Sequence, residues 1–285
     1  MNVSVIIPSR NEKYLQTTLD SLYENAGMEI EVIVIMDGPT QYPLTKKYPN
    51  LVVRENFEPI GIRASIERGI KISKGDLILK VDAHCIFGEN FVKILERDAI
   101  EDRTVMVARR WTLNLETMER QPRIVDYYYL SCPWTNTGHF MMQSCPWITR
   151  TEQRLDIPID DLMCFQGSMW MTTRNFASEL PWINEEMLYA EHHMISMSAW
   201  RNGGRVVINK NTWYAHPSRI TGGYRMDMNK VYWDHARSAH TWTNQATFFE
   251  WLIDKFWPLP TEHNRHRLEK YYWPENWKEM VRNVD

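Results

Sequence analysis

Along the first hundred residues, short β-rich runs alternate with stretches of helical periodicity. Val3–Ile7 is an unbroken apolar run, the pattern of a strand covered on both faces. Tyr14, Leu15, Leu19, Leu22 and Tyr23 follow at helical spacing. Glu31–Met36 predicts a second strand, stopped by the turn Asp37-Gly38-Pro39, and Leu51–Arg54 a third. Ile60–Ser73 reads as a helix closed by Lys74-Gly75. Leu77–Val81 is a fourth strand, ending at Asp82-Ala83-His84, and Glu89–Ile100 is helical again. Strands alternating with helices mean βαβ units, so the pattern predicts an α/β fold with a mostly parallel sheet flanked by helices.

The pattern loosens beyond residue 100. Val105–Leu113 predicts a strand, Asn114–Gln121 is polar, and Phe165–Thr173 reads as a buried strand followed by a helix over Arg174–Leu180. Met187–Asn202 carries apolar residues at helical spacing and stops at Gly203-Gly204. Val206–Ile208 and Trp213–His216 read as two short strands, and Arg219–Arg225, with Gly222-Gly223, as a loop. After Asp227 the spacing is helical, with Phe248, Phe249, Trp251, Leu252 and Phe256 as an apolar stripe. The predicted organisation is a main domain over residues 1–226, with halves at 1–110 and 111–226, and a helical, Trp-rich extension over 227–285.

Composition adds limits. With 285 residues and 44% hydrophobic content, the chain can bury a core without disulfides or a structural metal. Its 33 Lys+Arg against 36 Asp+Glu exclude a generic polyanion binder, which shows a basic excess, but leave room for a local basic groove such as Arg265, His266, Arg267 and Lys270. The 13 Trp begin only at Trp111, so an aliphatic front and an aromatic back have different tasks. No signal peptide pattern and no run of ~18 apolar residues is found, and the 4 Cys lack C-x-x-C spacing. The expectation is a soluble protein of a reducing cytoplasm, with nothing to set its oligomeric state.

In parallel sheets ligands sit beyond the carboxyl ends of the strands. Three polar clusters fall there: Pro8–Glu12, Asp37-Gly38 and Asp82–His84. Neither G-x-G-x-x-G nor a Walker sequence occurs, so a dinucleotide or P-loop site is not indicated. Strand alternation lets Asp82 and His84 face one side. A carboxylate with an imidazole suits borderline divalent metals such as Mn2+, with Mg2+ as the alternative. Taken alone, the triplet is also what a surface acid beside a core histidine looks like.

The wider pattern resembles a glycosyltransferase of the GT-A fold, and in particular the polypeptide N-acetylgalactosaminyltransferase catalytic domain. The resemblance is carried by Pro8-Ser9-Arg10-Asn11-Glu12, Met36-Asp37-Gly38, Gly61-Ile62-Arg63-Ala64, Lys74-Gly75-Asp76 and Val81-Asp82-Ala83-His84-Cys85. It continues through Gln166-Gly167-Ser168, Thr173-Arg174, Glu191-His192, Ile195-Ser196, Trp200, Gly203-Gly204 and His216-Pro217-Ser218-Arg219, in order over roughly residues 3–225. It implies that residues 1–226 are a catalytic domain with a nucleotide-binding half and an acceptor half. Asp82, His84 and His216 would ligate the metal. Asp37 would bond the nucleoside, beside Pro8, Arg10 and Glu12, and Ala83 would line the same site. Arg63 would face nucleotide or sugar, and Arg219 with Tyr224 would close over the diphosphate of a UDP-sugar. Glu191 would sit at the junction of sugar and acceptor, so that Glu191 and Arg63 are the candidate catalytic pair.

Departures narrow what carries over. Where the family has Gly-Gly before its Glu, this chain has Tyr189-Ala190; the next Asn is His192, and the family's second Glu is Met194. The resemblance extends neither to the family's membrane anchor nor to its lectin domain, so neither is expected here. Bulk beside the sugar leaves the donor open among UDP-glucose, UDP-N-acetylglucosamine and other UDP-sugars. The resemblance implies transfer with retention; inversion would need a carboxylate base, for which Glu191 is placed. A chain of this kind also resembles bacteriophage glycosyltransferases that decorate hydroxymethylated pyrimidines in DNA. That acceptor leads, ahead of a protein Ser/Thr or glycan hydroxyl. A reading of another class is an inactive sugar-nucleotide-binding protein.

Overall fold

The computed structural model describes residues 2–99, 101–131, 143–180, 182, 191–218 and 246–259. Its first strands follow from the apolar runs. β1 (Val3–Ser9), β2 (Glu31–Asp37) and β4 (Leu77–Val81) are buried almost throughout, whereas β3 (Leu51–Asn56), with Arg54 and Glu55 exposed, forms one edge of the sheet. β1 pairs in parallel with β2 on one side and β4 on the other, and β2 pairs in parallel with β3. The chain therefore steps outward to β3 and returns over β1 to reach β4. Right-handed crossovers then put α1 (Leu15–Asn25) and α2 (Ile62–Ile72) on opposite faces. α2 presses so closely on β1 that a Cβ at Gly69 would stand 2.6 Å from Ile6 Cγ2. The strand order reverses between β1 and β4, which is where open α/β sheets bind ligands.

The remaining elements widen this sheet. β5 (Ile86–Phe87) and α3 (Phe91–Arg97) lead to β6 (Thr104–Asn114), which turns back as β7 (Glu119–Ile124). β8 (Tyr128–Ser131) and β9 (Gln143–Pro146) make a separate two-stranded ribbon, followed by α4 (Ile148–Gln153) and β10 (Ile159–Asp161). β11 (Met169–Thr173) runs antiparallel between β4 and β6, and α5 (Arg174–Glu179) follows it. α6 (Glu191–Arg201) precedes β12 (Arg205–His216), which is parallel to β6. The order β10-β12-β6-β11-β4-β1-β2-β3 makes one mixed sheet, parallel from β4 to β3.

Two sequence expectations change. Val206–Ile208 and Trp213–His216 are parts of a single strand, β12, with a register shift between Asn209 and Trp213. The polar residues that suggested a break are held in place: Asn209 Nδ2 donates to Asp98 Oδ2 at 2.9 Å, and Asn211 N donates to Asn209 Oδ1 at 3.0 Å. The polar stretch 114–121 contains the start of β7. Cation–π contacts replace apolar burial there, with Arg120 Cζ 4.3 Å from the Trp111 ring centroid and 4.6 Å from that of Trp213.

Among the described residues, the aromatic side chains of the back half mostly pack. Trp147, Trp170, Trp182 and Trp200 are buried, and Trp170 stacks on Trp182 with centroids 5.7 Å apart. Beyond Asp227 the described part is α7 (Ala246–Lys255), anchored by buried Leu252 and Ile253, by Phe256 against Trp200, and by Lys255 Nζ 3.1 Å from Asp161 Oδ2. The basic residues Arg265, His266, Arg267 and Lys270 lie outside the described residues. Cys85 and Cys164 are buried free thiols, and Cys145 is buried as well. Among the described residues no helix is long and apolar enough to cross a membrane.

Candidate active site

β4 ends at Val81, so Asp82-Ala83-His84 is a turn beyond the strand rather than a continuation of its alternation. The turn is pinned at its start, where Asp82 N donates to Ser168 O at 2.9 Å, and small Ala83 is buried under it. His84 swings back toward the end of β12. Its Nε2 lies 3.0 Å from His216 Nε2, and His216 Nε2 lies 3.2 Å from Asp82 Oδ2. One ligand atom from each of the three falls within 4.8 Å of the others.

This donor set fits a divalent cation. One carboxylate and two imidazoles converge, and His84 Nδ1 faces Glu12 Oε2 at 3.0 Å. A carboxylate there takes the Nδ1 proton's hydrogen bond and leaves the Nε2 lone pair directed inward, the usual outer support of a metal-binding histidine. Burial pushes His216 down to about 4, outweighing Asp82 nearby, so its imidazole is neutral at ordinary pH and able to ligate. Burial opposes ionisation of Asp82, but the Lys80 ammonium and the His216 hydrogen bond override it and hold the carboxyl well below the usual range.

Lys80 was not foreseen. It sits two residues before Asp82 on a central strand, is wholly buried, and donates to Asp82 Oδ1 at 2.5 Å and to Gly167 O at 2.7 Å. Glu191 Oε1 is 3.7 Å from the same Nζ. Burial would discharge this lysine; Asp82 and Glu191 together keep it charged. The sequence signal was present, as a lysine inside the run Leu77–Val81. Glu191 opens α6 and is itself buried, which raises its carboxyl, with Lys80 opposing. Gly167 is needed for this approach: a Cβ there would lie 2.6 Å from Glu191 Oε1 and 3.1 Å from His192 Nδ1.

Arg63 and Glu191 are both brought to this region. Arg63, buried on α2, points Nη2 at Met194 Sδ on α6, 2.9 Å away. Asp37, buried at the end of β2, already accepts three hydrogen bonds: from Asn56 Nδ2 at 3.0 Å, Ile60 N at 2.7 Å and Gly61 N at 3.0 Å. Its described work is to clasp the loop that leads into α2. Pro8 lies within β1 and Arg10 is exposed just past it. Arg219, Tyr224 and Tyr189-Ala190 lie outside the described residues. A second unforeseen cation, Arg110 on β6, donates from Nη1 to Tyr128 Oη at 2.7 Å and lies 3.4 Å from His216 Nδ1. A polar cleft of about 620 Å³ lined by Asp76, Asp102 and Arg174 lies at the other end of β4, where Leu77 pairs with Thr173.

Comparisons with known proteins bear on this geometry. Residues 4–178 match the family model described as Glycosyl transferase family 2. Among the curated proteins no match is found. A structure of GalNAc-T7 with UDP, GalNAc and Mn2+ is similar at 19% identity and TM-score 0.63, over 89% of this chain and 50% of that one. S. aureus TarS 1–349 in complex with UDP-GlcNAc is similar at 17% identity and TM-score 0.55, over 86% and 66%. The mannosyltransferase PcManGT from Pyrobaculum calidifontis, in complex with GDP-Man and Mn2+, gives 12% identity and TM-score 0.52 over 99% and 68%. This chain thus spans half the length of the GalNAc-T7 structure, and what these likenesses share with it is the GT-A fold.

Proposed function

The chain belongs to glycosyl transferase family 2, and from that premise we propose that it transfers a sugar from a UDP-sugar to an acceptor hydroxyl in a divalent-metal-dependent reaction. The observation that carries this reading is the convergence of Asp82, His84 and His216 at the strand ends beside the β1/β4 reversal. These three residues would hold Mn2+ or Mg2+, which when bound neutralises charge on the diphosphate. In this proposal residues 1–226 are the catalytic domain, halved near residue 110, and 227–285 an extension; the reaction is placed in the cytoplasm, the host's if the chain is phage-encoded.

The chain's own groups divide the work. Lys80 fixes one oxygen of Asp82, so that Oδ2 is the oxygen facing the two histidines. Glu12 orients His84. Arg63 and Glu191 flank the sugar from α2 and α6, with Arg10 and Pro8 beside the nucleotide and Arg219 and Tyr224 over the diphosphate. Asp37 serves the nucleoside through the loop it clasps. Retention is supported by Glu191: packed against Lys80 and the Gly167 backbone at 6% exposure, it is poorly open to an incoming hydroxyl as a base. For the acceptor we take a hydroxymethylated pyrimidine in DNA, with a protein Ser/Thr or a glycan hydroxyl as the alternative.

The test is UDP release from a panel of UDP-sugars with and without Mn2+. Release that requires the metal supports the reading, and undiminished release in excess chelator, or none from any donor, refutes it. Mass spectrometry of DNA and protein from the same incubations identifies the acceptor, and product NMR showing the inverted anomer would overturn retention.

A further inference from the structure

Phe57 is the most exposed large apolar side chain among the described residues, at 99%; the next, Trp257, stands at 49%. A phenyl ring held wholly in water adds nothing to the core. Its loop is nonetheless tied on both sides. Asn56, buried just before it, donates to Asp37 Oδ1 at 3.0 Å. Beyond it, Ile60 N donates to the same oxygen at 2.7 Å and Gly61 N to Asp37 Oδ2 at 3.0 Å. Pro59 lies so near the end of β2 that a Cβ at Gly38 would stand 3.0 Å from its Cγ. One buried carboxylate thus fixes both stems of a short loop whose largest side chain takes no part in the core. A loop ordered in advance lowers the entropic cost of a contact made on it.

Position and chemistry say what meets this ring. β3 ends at Asn56 and runs parallel to β2, so Phe57 stands at the same end of the sheet as Asp37 and Asp82. In the order β4-β1-β2-β3 it lies one strand beyond Asp37 and three beyond Asp82, about 14 Å at the usual inter-strand spacing. A nucleotide whose diphosphate meets a metal at Asp82, and whose ribose crosses the ends of β1 and β2, brings its base to this loop. The ring offers one flat apolar face, and Glu55 and Glu58 beside it are exposed. Those carboxylates repel a phosphate backbone or an anionic lipid surface, but can accept from the N–H groups of a base. An uncharged aromatic ring with N–H edges is a nucleobase.

We propose that Phe57 is the stacking platform for the nucleobase of the donor, and that Asp37 serves the nucleotide by holding this ring in place. The proposal rests on the reading of the site as a sugar-nucleotide transfer centre.

The experiment is calorimetric titration of the full chain with UDP in the presence of Mg2+, and in parallel with inorganic pyrophosphate, which has no base. Phe57→Ala should weaken UDP binding about ten-fold, the scale of stacking one base on an aromatic ring, without a comparable loss for pyrophosphate. Phe57→Trp should restore the affinity, whereas Phe57→Leu, apolar but not flat, should not. Thermal unfolding of each variant checks that substitution at so exposed a position leaves the fold intact. A UDP affinity for Phe57→Ala within about two-fold of the wild type overturns the proposal. So does an equal loss for both ligands, which would mean a disturbed loop. A lowered Tm with unchanged UDP affinity overturns it as well, because the ring would then serve the chain's own packing. Should the protein bind GDP but not UDP, with the same dependence on Phe57, the platform stands and the UDP-donor reading fails. Binding of neither nucleotide overturns both.

Discussion

Replacing Lys80 by Met tests the electrostatic centre of the site through stability. Methionine keeps most of the length of the stem but removes the ammonium that meets Asp82 Oδ1 at 2.5 Å, Gly167 O at 2.7 Å and Glu191 Oε1 at 3.7 Å. Removing one partner of a buried ion pair costs roughly 3–5 kcal/mol, because the other charge is left uncompensated. Asp82 keeps 18% side-chain exposure, so water recovers part of its loss, and Glu191 can take up a proton. The lower end, about 3 kcal/mol, is therefore expected, which for a chain of this size lowers Tm by about 5 °C. The assay is thermal unfolding with and without Mn2+. Because a cation held at Oδ2 would return to Asp82 the positive charge that the substitution removes from Oδ1, Mn2+ should raise the Tm of Lys80→Met more than that of the wild type. A metal-free Tm within about 2 °C of the wild type, equivalent to less than about 1 kcal/mol, would refute the argument that this lysine holds two acids together.

Other outcomes follow from the same geometry. His84→Ala and His216→Ala should each abolish metal-dependent UDP release while leaving the circular dichroism spectrum unchanged; residual turnover above a tenth of wild type would count against the triad. Gly167→Ala drives a Cβ to 2.6 Å from Glu191 Oε1 and should lower turnover more than it lowers Tm, measured side by side. For metal-free protein, His216 refuses a proton down to about pH 4 when folded but accepts one near 6.5 when unfolded. Stability should thus fall as pH drops from 6.5 to 4, by up to about 3 kcal/mol from this group, and urea midpoints of His216→Asn should be flatter over that window.

The parts of the fold that could be read from the chain are those whose burial is uniform. Val3–Ile7, Glu31–Met36 and Leu77–Val81 are covered on both faces, so their apolar runs identify them as strands without further context. β7 has the sequence Glu-Arg-Gln-Pro-Arg-Ile and lies mostly exposed at an edge, so no hydrophobic pattern marks it. β10 is three residues long, too short to carry a period. At the site, Asp82 and His84 stood out because they end a readable strand. Lys80 and Arg110 depend on which strands are neighbours: Lys80 meets Gly167 only because β11 lies beside β4, and Arg110 meets His216 only because β12 lies beside β6. Local periodicity does not encode that order.

The long strand β12 has a consequence for how the protein is made. His216 lies 134 positions beyond Asp82, at the far end of a strand that must first slot in beside β6. A nascent chain that has emerged only as far as α6 already possesses Asp82 and His84 but not the third member of their cluster. Closing so distant a contact comes late, since the loop entropy must be spent before the contact returns anything. Acquisition of the full Asp82–His84–His216 chelate is therefore a late assembly event, and the affinity of refolding chains for a divalent cation would serve as a clock for the docking of β12.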